Sequence, residues 1–244
     1  LKEVFVSPNL VDDEEINLRD TCRALAGNLD KYIIDNTVVA VSWGNTLNCL
    51  AGQIQPLKAK DIKVVQLNGG VAKSASSTGA SQIVDALTMA GHGIGYMFPV
   101  PAIVDSKHTS EILQEETQVK NVLRLAKEAE VSIFSIGALS KDSILYEVEY
   151  LKDEDFQALE KNKAVGDIAS RYFDINGNIA LKELDDRVVG FGLEELREKE
   201  WTIAIAVGVN KVDAIIGALR AGFMNVLYTD EKTAREILNR NLLG

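Results

Sequence analysis

The chain has 244 residues, 46% of them hydrophobic and 25% charged, with a formal net charge of -10. That length suits one large α/β domain or two small ones, and the acidic balance argues against nucleic-acid binding by this segment, because a phosphate backbone demands a basic surface. No apolar run approaches the roughly 20 residues that span a bilayer, so no membrane partner is expected.

The chain opens on Leu1 rather than Met, with no signal peptide, and reads as a piece of a longer cytoplasmic protein. Val4–Ser7 is a short strand ended by Pro8. Asp12, Asp13, Glu14 and Glu15 then place four acids where a helix macrodipole favours them. Ile16, Cys22, Leu25, Leu29 and Ile33 follow at helical spacing. Val38–Ser42 is a continuous apolar strand of the kind buried on both faces of a parallel sheet. A helix is predicted from about Thr46 to Ile54, and a strand over Ile62–Leu67. The small polar stretch Lys73–Gly79 reads as a loop over a ligand or a plain solvent loop. Next come a helix over Ala80–Ala90, a turn at Gly91–Gly95, a strand over Tyr96–Val100 and one long helix from Glu111 to Glu130. Val131–Ile136 is a strand, and Lys141–Asn162 one or two short helices. Asn176-Gly177 is a strong hairpin-turn signal within Ala164–Ala180. Val188–Phe191 and Trp201–Val207 read as strands, Val212–Ala221 as a helix, Asn225–Tyr228 as a strand, and Asp230–Leu243 as a final helix capped by Asp230.

Strands alternating with helices predict an α/β fold with a Rossmann-like, mainly parallel sheet and helices on both faces. The whole chain reads as one domain, residues 1–244, with room for a small inserted subdomain around 164–190. Parallel strands bring the ends at Ser42, Asn68, Gly137 and Gly208 to one sheet edge, where such folds bind ligands.

Three of those junctions end in residues suited to an anion. Ser42, Gly44, Asn45 and Thr46 can supply donors from the first, or simply cap the next helix. Gln66, Asn68, Gly69 and Gly70 form the second, with two amides on one strand face that suit sugar hydroxyls. The third carries Lys211, which follows Gly208 just before a helix. A cation is disfavoured at a helix start, which points to a phosphate partner rather than a solvated surface lysine. Asp167, between Gly166 and Ile168, is suited to hold a hydroxyl or a lysine, or is a turn acid. His92 and His108 lack metal-ligand spacing, and Cys22 and Cys49 read as buried thiols, so no metal and no cofactor is expected. There is no Gly-x-Ser-x-Gly elbow and no Gly-x-Gly-x-x-Gly fingerprint after a strand.

The segments Val41–Thr46, Val64–Gly70, Ala164–Ile168, Tyr172–Gly177, Val207–Lys211 and Asn225–Asp230 occur in consistent order across about 190 residues. Together they resemble the C-terminal effector-binding domain of SorC-type bacterial transcriptional regulators. The resemblance implies a fold like that of glucosamine-6-phosphate deaminases and ribose-5-phosphate isomerases, but a sensor and not an enzyme. It implies a phosphorylated sugar as effector, self-association as a dimer or tetramer, and DNA binding only through an N-terminal helix-turn-helix domain absent from this chain. The Ser42–Thr46 turn, Gln66–Gly70, Asp167 and Lys211 match its ligand-contacting positions. One branch, the deoxyribonucleoside regulators, resembles this chain but carries a lysine, which forms a Schiff base with the effector, where Asn68 stands here. Asn68 cannot do so. The alternative from the residues is a sugar-phosphate isomerase or deaminase on the same fold, for which Asp167 is the one candidate base.

Overall fold

The computed structural model describes residues 1–70, 80–147 and 149–242. In chain order its strands are β1 (Glu3–Ser7), β2 (Val38–Val41), β3 (Lys63–Gln66), β4 (Ile94–Tyr96), β5 (Val131–Ser135), β6 (Gly137–Ala138), β7 (Ala164–Ile168), β8 (Arg171–Asp174), β9 (Trp201–Ile205) and β10 (Val226–Asp230). The helices are α1 (Glu14–Tyr32), α2 (Asn45–Ala51), α3 (Ala80–Ala90), α4 (Lys107–Glu115), α5 (Thr117–Glu128), α6 (Ile144–Glu147), α7 (Asp153–Lys161), α8 (Lys182–Asp185), α9 (Val212–Ala221) and α10 (Glu231–Leu242).

Seven strands make one parallel sheet in the order β1-β10-β9-β5-β2-β3-β4. A three-stranded antiparallel sheet, β6-β7-β8, stands beside it. Alternation along β2 shows why both faces of the large sheet are covered. Val39 and Val41 point into a cluster with Leu25 and Leu29 of α1, Leu47 and Leu50 of α2 and Leu87 of α3. Val38 and Ala40 point the other way, toward Val122 and Ala126 of α5 and Ile215 of α9. Burying each such aliphatic side chain contributes about 1.5–3 kcal/mol. A third cluster, with Leu145, Phe156, Leu159, Tyr172 and Leu184, lies by the small sheet.

Local signals start the helices as expected. Asp13 caps α1 by accepting from the Ile16 N–H at 3.1 Å, with Glu14 and Glu15 in the first turn. Asp230 caps α10 by accepting from the Thr233 N–H.

Four expectations need correction. The strand predicted at Tyr96–Val100 sits earlier, over Ile94–Tyr96, so Gly95 belongs to a strand and not to a turn. It pairs with β3, and that register decides its position. The single helix predicted over Glu111–Glu130 is two. The break is at Glu116, whose extended backbone (φ -61, ψ 135) ends α4 while its N–H bonds the Leu113 carbonyl. Val188–Phe191 is not a strand but two isolated bridges, Val188 to Ile103 and Gly190 to Asn68. Between Ala164 and Ala180 the tight hairpin turns at Ala169-Ser170, which take φ 51 and 70, and joins β7 to β8. Asn176-Gly177 makes a second turn, held by the Asp174 carboxylate, with a single bridge beyond it between Phe173 and Ile179. The Lys73–Gly79 loop lies outside the described residues.

The chain runs from β2 outward through β3 to β4, then returns to β5 and runs the other way through β9 to β10. The strand order therefore reverses between β2 and β5. A crevice opens outside the carboxyl ends of the strands at such a switch point.

Candidate functional site

A cavity of about 410 Å³ lies at that crevice. Its walls come from the turn after β2 (Ser42 to Thr46), Asn68 after β3, Ser135 to Ala138 at the end of β5, and Asn210 and Lys211 after β9. Asp167, Ala169 and Ser170 of the β7-β8 hairpin close one side, and Glu14 at the start of α1 closes another. The small sheet is thus what brings a carboxylate to the mouth of the large one.

The first turn is built by Gly44, which precedes α2 with φ 133 and ψ 175. A side chain is strained in that conformation, so glycine is needed to swing the chain from β2 into α2. Ser42 and Thr46 are buried beside it. The Trp43 indole N–H donates to the Gly69 carbonyl at 2.7 Å, tying the turn after β2 to the turn after β3.

Asn68 is buried, and its amide N–H donates to Ser170 Oγ at 3.0 Å. Its Oδ1 is also buried and has no hydrogen-bond partner among the described residues. The Ser170 N–H in turn donates to Asp167 Oδ2 at 3.1 Å, which closes the tight hairpin turn. One chain of contacts therefore runs from the end of β3 through the hairpin to the Asp167 carboxylate.

Asp167 and Lys211 carry the electrostatics. Burial pushes the Asp167 carboxyl up to about 6, against the pull of the Ser170 N–H and the Lys211 ammonium. Burial also lowers the Lys211 ammonium, opposed by Glu14, Asp167 and Cys22. Both side chains reach the cavity yet are walled in by protein, so neither charge is well hydrated. Lys211 makes no ion pair among the described residues. The same groups in water would not shift this way, which marks the pair as a functional candidate.

Of the residues singled out in the sequence, Ser42, Gly44, Asn45, Thr46, Asn68, Asp167 and Lys211 meet at this cavity. Gln66, Gly69 and Gly70 do not line it. Gln66 points into the protein, where its Oε1 accepts from the Phe98 N–H, so the two amides of this segment do not serve one face of a ligand. The Gly69 N–H bonds the Val189 carbonyl, while Gly70 exchanges bonds with Val100 and Ala102. These three hold the wall.

Sequence reading missed Glu14, Trp43, Ser140, Asp142, Ser143, Ser170 and Asn210. Trp43 and Asn210 lie inside turns that the sequence does mark. Glu14 reads as a helix-start acid, and only packing of α1 beside β9 reveals it. Ser140, Asp142 and Ser143 sit in the loop before α6, at the start of the stretch Lys141–Asn162 that the sequence reads as short helices. No group of His, Cys, Asp and Glu suited to a metal occurs among the described residues. No helix among them is long and apolar enough to cross a membrane.

A polar cavity at the switch point of a Rossmann-like sheet, with one desolvated cation and several acceptors, defines a binding domain for a small hydroxylated ligand. The chain belongs to the sugar-binding domain family, whose model matches residues 1–239. The deoxyribonucleoside regulator of Bacillus subtilis is 33% identical over 220 residues, covering 90% of this chain and 70% of that protein. The transcriptional regulator LsrR of Escherichia coli K12 is 31% identical over 208 residues, covering 82% of this chain and 62% of that protein. A DeoR family transcriptional regulator from Listeria monocytogenes superposes with a TM-score of 0.89 at 27% identity, covering 97% of this chain and 94% of that one. The full-length sorbitol operon regulator SorC from Klebsiella pneumoniae shares the fold, with a TM-score of 0.89 at 22% identity over 98% of this chain and 77% of that one. These relatives are named as regulators and not as enzymes, so the isomerase or deaminase alternative is not favoured. This chain is a sugar-binding domain of the transcriptional-regulator type.

Proposed function

We propose that the cavity binds a phosphorylated sugar, held without a covalent bond, as the effector of a DNA-binding regulator. The observation that carries this reading is Lys211, an ammonium lowered by burial at the cavity wall with no ion pair among the described residues. A phosphate supplies the missing counter-charge. Ser42, Asn45 and Thr46 offer further donors to the same anion. Asp167 accepts from sugar hydroxyls, with Asn68 and Ser170 holding the hairpin that presents it. DNA contact belongs to a separate N-terminal helix-turn-helix domain, and the acidic balance of this chain fits that division of labour.

A thermal-shift screen against phosphorylated sugars tests this. A ligand present at 100 times its Kd stabilises by about 2.7 kcal/mol, and the matching unphosphorylated sugar is expected to give no shift. Turnover of glucosamine 6-phosphate or ribose 5-phosphate would overturn the sensor reading in favour of catalysis.

A further inference from the structure

Two cysteines lie directly behind the cavity wall and take no part in the site as described. Cys22 is on α1 and fully buried, while Cys49 is on α2 and half-buried, so a small solute reaches only the second. Helices α1 and α2 pack on each other, and the two thiols shift each other's titration across that contact. Cys22 Sγ donates to the Thr46 carbonyl at 3.7 Å, and Thr46 lines the cavity. Thr46 and Cys49 are three residues apart on α2 and so share the face that meets α1. The thiol pair therefore sits under the short helix whose first turn forms part of the binding site.

We propose that Cys22 and Cys49 are a modification site, at which a peroxide closes an intramolecular disulfide that ties α1 to α2 behind the ligand cavity.

The chemistry suits the asymmetry of the pair. The neighbouring Cys22 thiol holds the Cys49 thiol down to about 7, aided by Arg19 and opposed by burial and Glu15. Contact with Cys49 and burial hold Cys22 far above the ordinary thiol range. Cys49 is thus the thiolate and the accessible sulfur. It attacks one peroxide oxygen, the O–O bond breaks, and Cys49 becomes a sulfenic acid as one water leaves. Cys22 sulfur then attacks Cys49 sulfur, the S–O bond breaks, and the departing hydroxide takes the Cys22 proton as a second water. Two thiols are oxidised by two electrons and one peroxide is reduced.

The bond has a structural consequence. The two sulfurs must close to about 2.05 Å. The Cys22 S–H that bonded the Thr46 carbonyl is then gone. Helix α2, seven residues long, is drawn against α1 at the turn that faces the ligand.

The test treats the protein with excess hydrogen peroxide near neutral pH and reads intact mass, a non-reducing peptide map and hydrogen exchange. The expected result is a loss of about 2 Da, for two hydrogens, with one cross-linked peptide pair holding Cys22 and Cys49. Dithiothreitol should reverse it, and exchange across Asn45–Ala51 should slow several-fold in the oxidised form. Cys22→Ser should instead stop at oxygen adducts on Cys49, and Cys49→Ser should resist oxidation. An unchanged mass, a Cys49 sulfinic acid in the parent, or a Cys49–Cys49 link between chains would each overturn the site. A disulfide that leaves exchange in α2 unchanged would overturn its coupling to the cavity wall. None of these readouts needs a ligand, so they stand or fall separately from the effector reading.

Discussion

Lys211 and Asp167 are both desolvated; Glu14 and then Asp167 favour the Lys211 ammonium, while the Ser170 N–H and then Lys211 favour the Asp167 carboxylate. Replacing Lys211 by Ala should weaken phosphosugar binding by about 1.5–3 kcal/mol, the range for a hydrogen bond to a charged group, without lowering the melting temperature. Calorimetry on parent and variant checks this, and equal affinities would remove Lys211 from the site. Asp167 makes a pH prediction. Its folded carboxyl is raised to about 6 from an ordinary 3.8, so the folded state binds this proton more tightly than the unfolded one. The associated stability is fully present below about pH 4 and is lost as pH rises through about 6. Asp167→Asn does not titrate. The melting temperature of the variant minus that of the parent should therefore climb between those two pH values and level off above them. A difference that stays flat across the range would mean that the carboxyl is not desolvated.

Among the elements, strand β7 decides where Asp167 stands. It lies on β6 with Asp167 opposite Gly137, and it packs on α9 through Gly166. A Cβ at Gly166 would collide with the Gly137 carbonyl oxygen and the Ala214 methyl group. Gly166→Ala should therefore destabilise the protein by about 1–3 kcal/mol, as over-packing does, and should weaken ligand binding because the neighbouring carboxylate moves with the strand. Urea unfolding measures the first effect and calorimetry the second. A variant as stable as the parent would mean that β6, β7 and α9 have slack that their close approach does not suggest. The β7-β8 turn works in the same direction. Ala169 and Ser170 both take left-handed conformations there, at a cost glycine would avoid, and the Ser170 N–H and hydroxyl are what connect Asp167 to Asn68.

For the whole molecule, the open question is how a filled cavity is felt elsewhere. Strands β1 and β4 are the two edges of the large sheet, and Val4, Val6 and Ile94 stand exposed on them. Exposed apolar edge strands invite pairing with another chain. We expect this chain to be at least dimeric without DNA, to shift its assembly with the effector, and to show no DNA affinity of its own at a net charge of -10. Sedimentation with and without a bound phosphosugar tests assembly, and a strict monomer at tens of micromolar (a rough working range for weak dimers) would leave a binder with no visible switch.

Most of the layered architecture was legible because its causes are local. Continuous apolar runs such as Val38–Val41 belong to doubly covered parallel strands, and Asp13 and Asp230 cap helices through their own side chains. Parallel topology then carries the ends of β2, β3, β5 and β9 to one edge, so the sequence by itself groups Ser42, Asn68 and Lys211. What remained hidden depended on contacts between distant segments. Gln66 and Asn68 alternate alike along one strand, but Phe98 draws the first amide inward and Ser170 holds the second at the cavity. The break at Glu116 carries no Gly or Pro, and the hairpin at Ala169-Ser170 lacks the Asn-Gly, Asp-Gly or Gly-Gly pair that marks a tight hairpin, so neither backbone is announced by its residues. Local chemistry determined which residue types stood at the strand ends. Only the packing of α1, of the β7-β8 hairpin and of α2 decided which of them share one cavity, because burial and charge partners arise only where the chain meets itself.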